Sequence, residues 1–357
     1  MAHDRLAKDR FRHFGNFLMR FDKHRSAYRI LANQDYEFSI SNNRFVASYA
    51  LIKACDIHAQ VPQSSHIDYA YLAEMNDRIS QYPEQSRALT IYVCTNALTE
   101  FVKQVLPKID RPFILLSGDS DMPVNKDALG STIEQICEHS KLALWFAQNK
   151  DCEHPKLRAL PIGLDLHSKW IEPTIWGGGL ILPTLQELEI KQILSKSKQW
   201  NARKSVAYCD WVMALDRGDR QECKDAIDPK LCIYPGNALP RSQSWTNQAE
   251  CAFVISPSGA GTDCHRTWEA LTLGCVPIVK KSGISDLFTD LPVIVVKDWH
   301  EVTTTFLQAK HQEMEHQSFD FSKLLMSYWK RQIMGVQADS ESLPRMSMAQ
   351  FRQILTA

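Results

Sequence analysis

Gly259, Gly261, Arg266 and Glu269 stand close together in the run SPSGAGTDCHRTWEALTLGCVPIV, residues 256–279. The two glycines remove side-chain bulk, so backbone N–H groups at a helix start can close on a phosphate. Arg266 adds a cation, and Glu269, three residues on along one helix side, can accept hydrogen bonds from ribose hydroxyls. Such a set suits a nucleotide diphosphate. It also suits a tight turn followed by an exposed Arg266–Glu269 ion pair, because a short glycine pair before a helix is a weak signal. Upstream, Arg217 and Arg220 follow a strand-like run and Trp211. They either meet a phosphate or lie solvated on a helix surface. A second chemical group is Gly118-Asp119-Ser120-Asp121, two carboxylates where an apolar strand runs out. That edge of an α/β sheet is where catalytic or acceptor-binding groups belong, although such aspartates also cap turns and helices.

Positioning these groups needs a βαβ unit around each. Apolar, β-leaning runs predict strands at 252–255 and 276–279, with Thr262 or Asp263 capping the helix between them and Gly274 stopping it. Further strands are predicted at 89–94, 113–117, 142–146, 160–162, 205–209, 233–234 and 294–296. Helices are predicted at 45–54, 97–106, 185–196, 300–312 and 321–332, with a loop at 80–85. Gln148, Asn149 and His154 are polar loop residues that can meet sugar hydroxyls, and Asp165, where the predicted strand 160–162 runs out, is expected to face the cleft.

The run 256–299, ending in LPVIVVKDW, resembles the C-terminal nucleotide-sugar half of exostosin-like glycosyltransferases, particularly the ribitol xylosyltransferase branch. The features that match are the glycine loop, Arg-x-x-Glu-Ala-Leu, Gly-Cys-Val-Pro-Ile and the final Asp-Trp. SGDSDMPV at 117–124, WFAQN at 145–149 and HPKLRALPIGLD at 154–165 match more weakly. The resemblance implies an α/β GT-B-like fold: two Rossmann-like domains facing a cleft, with a C-terminal helix returning to the N-terminal domain. The expected units are an acceptor-side domain at 1–200, a donor domain at 201–319 and terminal helices at 320–357. The resemblance also implies an inverting glycosyltransferase moving sugar from a nucleotide sugar, by family a UDP-sugar, to a glycan or lipid-linked glycan in surface polysaccharide synthesis. Gly259, Gly261, Arg266, Glu269, Arg217 and Arg220 would hold the donor. Asp121, with Asp119 second, would take the acceptor proton. Asp119-Ser120-Asp121 spells Asp-x-Asp outside the donor half, so no essential metal or other cofactor is expected. A nucleotide-sugar epimerase or hydrolase, and a non-catalytic carbohydrate- or nucleotide-binding protein, remain as alternatives.

Composition bounds the remaining classes. Length 357 and 44% hydrophobic residues suffice for two Rossmann-sized cores. Lys plus Arg equals Asp plus Glu at 41 each, so no global basic field recruits nucleic acid. The ten cysteines sit singly without Cys-x-x-Cys, which favours a reducing, cytoplasmic setting. The sequence predicts no membrane anchor and no signal peptide. Residues 1–30 carry eight Lys or Arg against three Asp, with Phe14, Phe17, Leu18 and Phe21 on one helical face. This basic amphipathic segment either docks on the protein or touches the inner face of an anionic membrane.

Overall fold

A computed structural model describes residues 34–172, 174–211, 214–334 and 343–356. The basic segment 1–30 lies outside the described residues. The labelled helices are α1 (Ser48–Lys53), α2 (Tyr69–Gln81), α3 (Leu98–Gln104), α4 (Thr132–Cys137), α5 (Pro183–Lys196), α6 (Arg220–Ala226), α7 (Arg241–Gln248), α8 (His265–Thr272), α9 (Thr304–Glu315), α10 (Met326–Met334) and α11 (Met348–Thr356).

Two parallel sheets form the frame. Strands β1 (Leu89–Cys94), β2 (Phe113–Gly118), β3 (Leu142–Ala147) and β4 (Leu157–Ala159) lie in the order β1-β2-β3-β4. Strands β5 (Lys204–Tyr208), β6 (Cys232–Ile233), β7 (Cys251–Ile255), β8 (Val276–Lys280) and β9 (Ile294–Val296) lie in the order β6-β5-β7-β8-β9. The near-continuous apolar sequences of β1, β2, β7 and β8 follow from burial on both faces, as helix-covered parallel strands require. One face of the first sheet packs Ile91, Leu115 and Trp145 beneath α2, α3 and α4. The opposite face, with Tyr92, Leu116 and Phe146, belongs to a core that continues into the second sheet.

Loops at the carboxyl ends of both sheets meet each other. The chain then returns to its first part: Met326 N–H bonds Arg44 O at 2.9 Å, and Val46 N–H bonds Leu324 O at 2.8 Å. Arg352 on α11 donates to the carbonyls of Leu194, Ser195 and Ser197 at 3.1, 3.1 and 2.6 Å, capping the end of α5. Two Rossmann-like sheets facing one another with returning terminal helices is the architecture that the resemblance implies.

Several predicted elements shift. The fourth strand is Leu157–Ala159 instead of 160–162, because Pro161 and the left-handed Gly163, φ 67°, turn the chain. Only Ser48–Lys53 of 45–54 is helical, since Phe45 and Ala47 bridge to Leu325 and Gly163. The stretch 97–106 forms α3 between 3-10 turns, the second containing Pro107. Helix α2 runs to Gln81, into the predicted loop. The stretch 300–312 becomes a 3-10 turn, Trp299–Glu301, followed by α9 behind its Thr303 cap. The stretch 321–332 is a 3-10 turn, Phe321–Leu324, and then α10, separated by extended Leu325.

Candidate active site

Asp219 organises the second-sheet side. It stands at the N-cap position of α6, and its Oδ1 accepts from Ser258 N–H at 2.7 Å and Ser258 Oγ at 2.6 Å. Its Oδ2 accepts from Trp299 Nε1 at 2.7 Å, so the Asp-Trp end of the resembling run braces the glycine loop. Gly218 passes so near this loop, at φ 56°, that a Cβ there would lie 2.6 Å from Ser258 O. The next residue, Arg220, is buried against Gly259: a Cβ on Gly259 would lie 2.7 Å from its Nη2. Burial, then the neighbouring Arg266, lower the Arg220 pKa. An arginine still keeps its charge under such conditions. Arg266 donates to Pro257 O and lies 3.3 Å from Cys264 Sγ. Its Nε is buried without a hydrogen-bond partner among the described residues. Arg217 is exposed in the turn before α6.

Neither predicted cap forms. The N-cap of α8 is Cys264, with no side-chain bond to the helix. Asp263 points elsewhere: its carboxylate accepts from Ile162 N–H at 2.7 Å and from Trp268 Nε1 at 2.9 and 3.0 Å. Burial pushes its carboxyl up to about 6. Glu269 does not pair with Arg266 either. It pairs with Arg241 at 2.7 Å, and that guanidinium lies over the rings of Trp176 and Trp245, 4.3 and 4.8 Å from their centroids.

On the first-sheet side, β2 ends in a strained turn. Asp119 holds φ 52°, an uncommon conformation for a residue with a side chain. Gln148 Oε1 accepts its N–H at 2.8 Å, and Ser64 Oγ donates to its Oδ1 at 2.5 Å. Its Oδ2 is buried without a hydrogen-bond partner among the described residues. Burial raises the Asp119 carboxyl, with the Ser64 bond and His265 opposing. Asp121 is exposed instead, and lies beside the donor loop: a Cβ on Gly261 would be 3.3 Å from its Oδ1.

Three predicted sugar-binding residues are committed to the protein. Gln148 also donates to Pro161 O at 3.2 Å, and His154 Nδ1 accepts from Lys156 N–H at 3.1 Å. Asn149 accepts the N–H groups of Thr262 and Asp263. Asp165 is buried beside His167 at 3.3 Å and accepts from Ser168 N–H and Oγ. Burial alone would raise its carboxyl, but His167, His265 and Arg241 together hold it below the usual carboxylate range. Burial lowers His167 to about 4, so the imidazole, stacked on Tyr49 at 3.9 Å, is neutral at pH 7. His265 opens α8 and its Nδ1 lies 2.8 Å from Gly163 O, across the two halves. His167, His265 and Tyr49 escaped the sequence reading. The place of His265 directly after the glycine loop was the available signal for that residue.

The structure thus brings Gly259, Gly261, Arg220, Arg266 and Asp121 together, with Asp119 in the adjoining turn, Glu269 held apart by Arg241 and Arg217 at the rim. The arrangement sets cations opposite carboxylates across the junction of two sheets. All ten cysteines are free thiols. No helix among the described residues is long and apolar enough to cross a membrane.

No family model matches the chain, and no curated protein matches it. Among solved structures, it is similar to one described as "OtsA apo structure", at 12% identity and TM-score 0.32, covering 79% of this chain and 80% of that one. It is also similar to "Trehalose-6-phosphate from E. coli bound with UDP-2-fluoro glucose", at 10% identity and TM-score 0.33, covering 89% of this chain and 84% of that one.

Proposed function

We propose that this protein is an inverting GT-B glycosyltransferase of the exostosin-like kind, moving sugar from a UDP-sugar to a glycan or lipid-linked glycan in cytoplasmic synthesis of a surface polysaccharide. One observation carries the reading: the glycine loop bearing Arg266, with Arg220 against it, faces the Asp119–Asp121 turn across the carboxyl ends of two parallel sheets. That crevice is where α/β sheets bind ligands. Arg220 and Arg266 would offset the charge that builds on the departing diphosphate, giving leaving-group stabilisation from side chains without an essential metal. Gly259 and Gly261 give the loop its close approach, Glu269 would hold ribose on exchanging its bond with Arg241, and Arg217 would meet phosphate at the rim.

Asp119 takes precedence over Asp121 as general base. Burial raises the Asp119 carboxyl, and its buried Oδ2 has no hydrogen-bond partner among the described residues, the two properties this reading asks of a base. Asp121 lies nearer the donor loop. In this reading residues 1–200 bind acceptor, 201–319 bind donor, and 320–357 tie the second part back to the first. The test is a thermal-shift screen with UDP-, GDP- and CMP-sugars, followed by transfer assays with any donor that stabilises the protein. Stabilisation by a UDP-sugar and acceptor-dependent release of UDP are expected. No shift with any nucleotide would remove the donor site, and rapid turnover without acceptor would make the protein a nucleotide-sugar hydrolase or epimerase.

A further inference from the structure

Asn149 sits one turn of chain beyond β3, buried, at φ 51°. Its side-chain Oδ1 accepts the N–H groups of Thr262 at 2.9 Å and Asp263 at 3.0 Å, in the loop leading to α8. Its Nδ2 donates to Ser120 O at 2.9 Å, the carbonyl between Asp119 and Asp121. Its own carbonyl accepts Val124 N–H at 2.9 Å, so the backbone carrying this amide is pinned as well. Gly261 leaves the space, since a Cβ there would come within 3.0 Å of Nδ2. Neighbouring contacts run the same way across the junction: Ile162 N–H to Asp263, His265 to Gly163 O, and Lys150 Nζ to Gly283 O at 3.3 Å.

We propose that Asn149 is a positioning residue for glycosyl transfer, its amide setting the distance between the donor loop and the carboxylate turn. This rests on the function proposed above. The chemistry requires an amide. One end must accept two N–H groups and the other must donate to a carbonyl, which a carboxylate, ammonium or alkyl group cannot do together. Asparagine also tolerates the left-handed backbone better than most residues. Displacing a donor relative to a base by about 1 Å can cost on the order of 10²-fold in rate, so one bridging amide has large leverage.

Two variants of the full chain separate the contacts. N149G keeps the positive φ without strain and removes both sets of bonds. N149D keeps the two acceptor bonds and turns an oxygen toward Ser120 O. Hydrogen–deuterium exchange, UDP thermal shift and steady-state kinetics are measured on each. Exchange at 118–122 should rise in both variants, and at 259–265 in N149G only. Transfer kcat should fall on the order of 10²-fold in N149G and roughly tenfold in N149D. Donor KM should change less than kcat, hydrolysis should rise relative to transfer, and UDP should still stabilise both variants. Exchange unchanged at both segments overturns the proposal. So does a rise in KM alone, which would make Asn149 a simple donor ligand, or tighter UDP binding by N149G, which would make its amide a plug that the diphosphate displaces. If UDP fails to stabilise the wild type, the donor reading falls, while the exchange data still decide whether Asn149 couples the two segments.

Discussion

The turn after β2 and the loop after β7 occupy equivalent places on their sheets and are built in opposite ways. The β2 turn concentrates carboxylates, holds Asp119 in a left-handed conformation and buries one of its oxygens without a hydrogen-bond partner among the described residues. The β7 loop is braced by two hydrogen bonds from Ser258 to the Asp219 carboxylate, itself held by Trp299, and lies against Arg220 and Arg266. In the proposed reading the first would take a proton and the second would receive an anion. Their difference teaches that the likeness of the two halves is architectural only, with the chemistry divided by charge between the strand ends.

Asp119→Asn should break the contrast most. Loss of a general base costs about 10²–10⁴-fold in kcat with nucleotide binding retained. In the wild type, burial raises the Asp119 pKa, so activity should fall on acidification at a higher pH than an ordinary aspartate would give. A rate within twofold of wild type would transfer the base assignment away from Asp119. Arg266→Ala should come next, lowering kcat by about 10²–10³-fold through lost stabilisation of the leaving diphosphate. Equal donor affinity and kcat in variant and wild type would contradict it.

Asp263 sharpens the comparison through pH, because it joins the donor loop to Ile162. Its folded pKa, about 6, exceeds the ordinary aspartate value near 4, so the folded state binds the extra proton between them. Stability from this group is therefore greatest at low pH and declines as pH rises through that window, by at most about 3 kcal/mol. Urea unfolding of wild type and Asp263→Asn at both ends of the window should show a smaller decline in the variant; parallel curves would refute the assignment. The smallest effect is expected for Trp299→Phe, which removes a bond to a carboxylate and should destabilise by about 2 kcal/mol in the same assay. A destabilisation below about 0.2 kcal/mol, a tenth of that, would show that Trp299 does not brace the loop.

The buried strands were legible because they announce themselves as apolar runs, as LTIYVC and VPIVK do, whereas the short, partly exposed LRA of β4 does not. Helix α2 was also written in the chain: Asp68 caps it, and Tyr71, Leu72, Met75 and Ile79 form its buried side. The mixed composition of 35–90 hid that spacing. Other features were tertiary by nature. Glu269 meets Arg241 and Asp263 meets Ile162 only once the chain has folded. Asp263 looked like a cap because aspartate before a helix usually is one. A buried backbone N–H in need of an acceptor won instead, and Asn149 took the N–H groups that a phosphate had been expected to take.

The interleaving of early and late residues in one core also bears on synthesis. Phe45, Leu51 and Ile52 share that core with Phe351 and Leu355, and α11 caps α5. Chains grow at about 5–20 residues per second, and domains commonly fold in order of emergence. Here, the side of α5 that α11 covers stays open on the growing chain until residues 348–356 leave the exit tunnel.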